Sequence, residues 1–81
     1  MKLRIVTPVA FFTYTVDWIE LNTLDGNRIV QTGHTPAIFV LAPNYDLIFK
    51  THTDGVQTFS ISHGGIVEVA RQEVTVIVQQ R

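Results

Sequence analysis

Residues 11–21 read Phe11-Phe12-Thr13-Tyr14-Thr15-Val16-Asp17-Trp18-Ile19-Glu20-Leu21. Phe12, Tyr14, Val16 and Trp18 share one parity, while Ile19 and Leu21 fall on the other with Asp17, Thr13 and Thr15. Side chains of a strand alternate between its two faces, so one flat strand cannot bury both apolar sets against one core. The apolar parity changes near Val16–Trp18. A bulge there, or a strand that passes from one sheet into another, reconciles the two halves. This stretch therefore predicts two packed sheets rather than one.

The chain on either side reads the same way. Lys2–Thr7 alternates Lys2 and Arg4 with Leu3 and Ile5, and Pro8 ends the segment. Asn22–Asn27 holds the turn dipeptide Asp25-Gly26. Ile29–Val30 is long enough only for an edge strand or a bulge, and Thr32–Pro36 is a loop. Ala37–Leu41 is a continuous apolar run, the pattern of a strand buried on both faces. After a turn at Pro43-Asn44, strands are predicted over Tyr45–Thr51 and Val56–Ser62, separated by Thr53-Asp54-Gly55. Gly64-Gly65 marks a bulge or tight bend. Ile66–Ala70 then pairs with Glu73–Val78 across Arg71-Gln72. No segment has helical apolar spacing over ten residues, and turn signals recur about every 8–12 residues, so the expected fold is all-β, a two-sheet sandwich of about eight to ten short strands.

Composition narrows the function. Eighty-one residues make a single domain, residues 1–81, with a small core. The chain has no cysteine, which excludes disulfides and thiolate metal sites. It is 46% hydrophobic and only 16% charged, apolar enough to suggest that a partner covers part of its surface. Net charge is −1 without a basic run, which argues against nucleic-acid binding. No apolar run approaches a membrane span, and Met1–Pro8 is a poor signal peptide, so a soluble cytoplasmic chain is the expectation.

Few residues suggest chemistry. His34, His52 and His63 lack metal-ligand spacing. Ser60 or Ser62 with His63 and Asp54 form no nucleophile motif, and no helix follows Gly64-Gly65 to cradle a phosphate. Neither catalytic residue, cofactor nor metal is expected. Phe11, Phe12, Tyr14 and Trp18 read as core, except that Phe11 shares its parity with Thr13 and Thr15 and can point outward as an interface anchor.

Several motifs occur in order: Lys2–Pro8 at the start, Asp25-Gly26, Gly33-His34-Thr35-Pro36, Pro43, Ser62-His63-Gly64-Gly65-Ile66-Val67-Glu68-Val69, and Val74-Thr75-Val76. Together they resemble the epsilon subunit of F-type ATP synthase over the whole chain. The resemblance implies a β-sandwich in the central stalk, non-catalytic, that binds the gamma subunit and rests on the c-ring, coupling proton flow to ATP synthesis. It would be peripheral on the cytoplasmic face of a bacterial inner membrane and touch the membrane only through the complex. The implied gamma contacts are Gly33, His34 and Phe11, with a loop histidine bonded to nearby backbone as the other reading of His34. The implied c-ring contacts are Asp25, Gly26, Asn27 and Arg28.

Three departures stand out. Asn27, Arg28 and Ile29 replace the family's acidic, apolar and glycine residues, which makes the c-ring contact neutral or repulsive. Gln31-Thr32 replaces apolar-Pro before Gly33. The sequence ends at Arg81, after the last strand, so the family's C-terminal helical domain is not expected. A stand-alone ligand-binding sandwich and an oligonucleotide-binding barrel are the alternatives; the first needs a concave site with convergent polar groups and the second a basic groove.

Overall fold

The computed structural model describes residues 1–79, and all regular structure among them is strand. The elements are β1 (Lys2–Val6), β2 (Phe11–Thr23), β3 (Gly26–Gln31), β4 (Ala37–Leu41), β5 (Tyr45–Thr51), β6 (Gly55–Ile61), β7 (Gly65–Val69) and β8 (Glu73–Val78). One layer, sheet I, runs β4–β7–β8–β1 and ends on the first half of β2; β1 and β8 pair in parallel and its other pairs are antiparallel. The other layer, sheet II, runs β3, the second half of β2, β5 and β6. A bridge between Thr23 and Leu41 joins the layers again at β4.

β2 is the hinge of this arrangement. Thirteen extended residues would measure about 43 Å, yet the longest extent of the molecule is 27 Å. The strand must therefore bend, and its ladder with β5 slips between Val16 and Trp18. Asp17 is the extra residue. Before it Tyr14 and Val16 face inward; after it Ile19 and Leu21 do, and Trp18 turns to the outer face, half-buried. The predicted parity change is this bulge.

The core lies between the layers: Leu3, Ile5, Val16, Val67, Val69, Val74, Val76 and Val78 from sheet I against Ile19, Leu21, Val30, Leu47, Phe49 and Ile61 from sheet II. Tyr14 packs at a tilt against Phe49 at 4.8 Å, and Phe12 meets Phe59 at 5.9 Å, closing the side where β2 and β6 approach. On the other open side the Arg28 guanidinium sits 5.9 Å from the Phe39 ring centroid, and His34 meets Phe39 edge-on at 6.4 Å. Threonine hydroxyls brace the turns. Thr23 donates to Gly26 O at 2.7 Å and accepts from Asp25 N, and Thr51 does the same with Gly55 O and Asp54 N. Thr23 and Thr51 are the buried polar residues among those described, and these bonds satisfy their hydroxyls.

One expectation fails. Ala37–Leu41 is not buried on both faces: Leu41 points into the core, while Ile38 and Val40 are exposed. Sheet I is covered on one side only, because the chain has just two layers, so half of this apolar run faces outward. One smaller difference concerns length: the Ile29–Val30 pair lies in the second half of a six-residue edge strand. Gly64, with φ 79°, forms the tight bend before β7, one of the two readings of Gly64-Gly65.

Candidate interaction surfaces

The outward residues of β4 continue across sheet I. Register places Val40 beside Ile66, Ile66 beside Ile77, Ile77 beside Val6 and Val6 beside Phe11. Opposite residues share a face, so these five form one apolar row across five strands, about 19 Å long at the usual strand spacing. Phe11 is 69% exposed, Ile66 52%, Val40 50% and Ile77 47%, with Ile38 at 70% in the adjoining row. That adjoining row continues through Glu68, Thr75, Arg4 and Thr13. Arg4 forms an ion pair with Glu73 at 3.2 Å beside it. An apolar stripe bordered by charge is the composition of a protein-binding face, where large side chains anchor and a polar rim excludes water.

The sequence-predicted gamma contacts lie at opposite corners of this face. Phe11 ends the apolar row on β2. Gly33 and His34 sit beyond the start of β4, where Gly33 N donates to Arg71 O at 2.8 Å. His34 Nδ1 lies 2.6 Å from Thr35 O, so its ring is tied to adjacent backbone. Phe11 is outward as expected, and Phe12 is also exposed, at 40%, rather than buried. The row between the corners went unread in the sequence. Its signal was present: Val40, Ile66 and Ile77 each sit on the parity opposite to a buried neighbour.

The predicted c-ring contacts separate as well. Asp25 and Gly26 lie at the exposed tip of the β2–β3 hairpin. Asn27 faces outward and donates to Glu20 Oε2 at 3.1 Å and Asn22 Oδ1 at 3.2 Å. Arg28 turns the other way, over Phe39. Its guanidinium is thus turned to the side opposite Asn27, while the residue stays exposed. Hydrogen bonds gather the hairpin, the β4–β5 turn and the β6–β7 link into one cluster: Leu24 N to Val40 O, Ala42 N to Asn22 O and Asn44 N to Ile61 O, each 2.9 Å. Residues 22–26, 42–46 and 61–65 include Asp25 and Asp46 but no lysine or arginine. Leu24 and Tyr45 are exposed beside these acids.

The alternatives find little support. The most enclosed cavity measured, beside Asn22, Tyr45 and Ile61, is about 10 Å³, the size of one water molecule. A shallow depression of about 390 Å³ is lined by Thr13, Tyr14, Thr15, Thr51, His52, Thr53 and Asp54, but no convergent charged set points into it. Asp54 and His63 lie at opposite ends of β6, so the residues of a forced Ser-His-Asp reading are not brought together. Among the described residues no group of three or more His, Asp or Glu could hold a metal.

Comparison with known proteins points one way. The family model for the ATP synthase delta/epsilon chain β-sandwich domain matches residues 1–81. ATP synthase epsilon chains of Lactobacillus gasseri and Lactobacillus johnsonii are 26% and 25% identical over 80 residues, covering 95% of this chain. The chain spans about half the length of these curated relatives, 54%. A central stalk/c-ring structure of the Tetrahymena thermophila mitochondrial ATP synthase contains a chain of the same fold, with TM-score 0.75 and 18% identity over 99% of this chain and 63% of that one.

Proposed function

The chain belongs to the ATP synthase delta/epsilon chain β-sandwich domain family, and from that membership we propose that it is a non-catalytic rotor-stalk subunit of an F-type ATP synthase. It binds gamma and the c-ring and so helps couple proton flow to ATP synthesis. As a subunit of a membrane-associated complex it reaches the bilayer only through its partners, on the cytoplasmic face in a bacterium. The observation that carries the reading is the family match over residues 1–81.

The two surfaces supply the attachments. The outer face of sheet I takes gamma. Its row from Val40 to Phe11 offers large apolar anchors in a line, and a gamma subunit spanning the face reaches both Phe11 and His34. The hairpin cluster takes the c-ring. With Arg28 turned over Phe39, the tip presents Asp25 and Asp46 to the cationic groups of ring loops. Size favours two attachments over one. A face bounded by the 27 and 25 Å extents offers on the order of 600 Å², less than the roughly 800 Å² per partner of a standard stable interface.

The test is binding to the cognate gamma subunit and c-ring. Wild-type chain is expected to co-purify with gamma at micromolar concentration. Ile66→Lys and Ile77→Lys, both at exposed positions, are expected to weaken gamma binding at least tenfold while leaving the thermal midpoint near wild type. Asp25→Asn is expected to weaken only the ring contact. No gamma binding by the wild-type chain at micromolar concentration would sink the proposal; unchanged binding by both lysine variants would remove sheet I as the site.

A further inference from the structure

The outer face of sheet II carries a pattern of its own. Register places Trp18 beside Lys50 and, one step further along the same two strands, Glu20 beside Ile48. Ile19 and Phe49 between them are buried, so these four side chains share the outer face, each half-buried. They mark the corners of a rectangle about 4.8 Å across the strands and about 6.7 Å along them. The apolar pair Trp18 and Ile48 lies on one diagonal and the charged pair Lys50 and Glu20 on the other. Ile29, beside Glu20, and Val56, beside Lys50, flank the rectangle and are 57% and 58% exposed.

Both charges have local contacts with capacity to spare. Lys50 Nζ donates to Asp17 Oδ2 at 2.8 Å, and an ammonium carries two further protons. Glu20 Oε2 accepts from Asn27 Nδ2 at 3.1 Å, and a carboxylate accepts on both oxygens.

We propose that this face packs on the same face of a second copy about a two-fold axis along the Trp18–Ile48 diagonal. Two faces stack when the axis lies in the plane of contact, and each patch then meets itself. An axis along the strands sets Trp18 over Lys50 but presses Glu20 on Ile48. An axis across the strands presses Lys50 on Ile48 and Glu20 on Trp18. An axis on the charged diagonal sets Lys50 over Lys50 and Glu20 over Glu20. The apolar diagonal sets Trp18 over Trp18, Ile48 over Ile48 and each Lys50 within about 3 Å sideways of a Glu20, a gap that long side chains span. Asp46, one step beyond Ile48, comes over Thr58 of the other copy, a hydroxyl able to donate to it. Strands of the two copies cross at about 70°, toward the orthogonal class of sheet packing. A face of on the order of 600 Å² buries about 1,200 Å² over both copies, the lower bound for a specific interface, so the dimer is weak. The row on sheet I stays free, and this pairing stands or falls apart from gamma binding.

Sedimentation equilibrium of the 81-residue chain tests it. Wild-type chain is expected to pass from monomer to dimer between about 10 μM and about 1 mM. Glu20→Lys and Lys50→Glu each set like charges over one another and are expected to weaken association at least tenfold. In an equimolar mixture of the two variants each introduced charge meets its opposite, and dimer returns. Lys2→Glu and Glu68→Lys change the net charge equally but lie on the outer face of sheet I; each alone is expected to dimerise as wild type does. Circular dichroism melts report folding. Should Lys50→Glu fail to fold beside Asp17, Glu20→Lys decides, since it leaves the Lys50–Asp17 pair intact. The proposal is overturned by a wild-type chain that stays monomeric to about 1 mM, by a folded Glu20→Lys chain that dimerises like wild type, or by a folded mixture that stays monomeric. Equal weakening by the sheet I variants overturns it too, because net charge alone then accounts for the effect.

Discussion

Gly65→Ala is expected to destabilise the fold by about 2–3 kcal/mol, at the upper end of what forcing atoms into a packed site costs. A Cβ built at Gly65 would land on the Ile77 carbonyl oxygen and lie 2.9 Å from Val78 Cγ1. Gly65 is opposite Val78 in the β7–β8 ladder, and Ile77 precedes Val78 on the same strand. The obstacle is therefore backbone, and relief requires β7 and β8 to separate. For an 81-residue chain, total stability is on the order of 4–12 kcal/mol, so the loss is a large share of it. The melting temperature should fall by about 10–20 °C. Urea unfolding followed by circular dichroism measures the change as a lower midpoint at constant slope. Pairing the substitution with Val78→Ala separates the two contacts. If the carbonyl is the obstacle, the second change rescues little, because it removes only the Cγ1 contact. A Gly65→Ala chain within about 0.5 kcal/mol of wild type, or a full rescue by Val78→Ala, would refute the reasoning.

Three further outcomes are expected. Phe49→Ala, which empties the largest fully buried side chain and takes away the Tyr14 contact, should cost about 3–5 kcal/mol in the same unfolding assay. Arg28→Ala should cost only about 0.5–1 kcal/mol through the lost cation–π contact with Phe39. Asp17 is held below the usual carboxylate range, first by the hydrogen bond from Lys50 at 2.8 Å and then by His52. A depressed folded value means that its contribution is complete above the unfolded carboxylate pKa and is lost as pH falls through the folded one. The stability difference between wild type and Asp17→Asn should thus be constant above about pH 5 and close below it, as read by thermal melts across pH.

What the sequence disclosed was local, and what it hid was pairing. The bulge in β2 was legible because a change of parity within one strand has few physical solutions. The strands over Tyr45–Thr51 and Glu73–Val78 were legible from alternation and turn residues, and Ala37–Leu41 from its continuous apolar run, with ends that match the structure. The outward half of β4 was misread because an apolar residue looks the same whether a core or a partner covers it. Only the number of layers decides, and that depends on which strands pair. Phe11 was assigned outward from its threonine neighbours, but its alignment with Ile77 and Val40 arises from strands far apart in the chain. Arg28 illustrates the same limit: its place next to Asn27 suggested a neutral or repulsive tip, whereas strand alternation sends it to the opposite side from Asn27.

Were the chain held, as proposed, between a turning shaft and a ring, it would be loaded in shear, and the path of β2 would determine how that load travels. Force applied to the outer face of sheet I enters the first half of β2 and reaches sheet II along peptide bonds, with no need to cross the side-chain contacts between the layers. Those contacts then resist compression, for which close-packed interiors are suited. The ladder is interrupted at Asp17, between Val16 and Trp18, and that break in hydrogen bonding is where such a load would bend the strand. Under torsion the layers would turn about that residue, with the Thr23–Leu41 bridge as the second place where they are tied together.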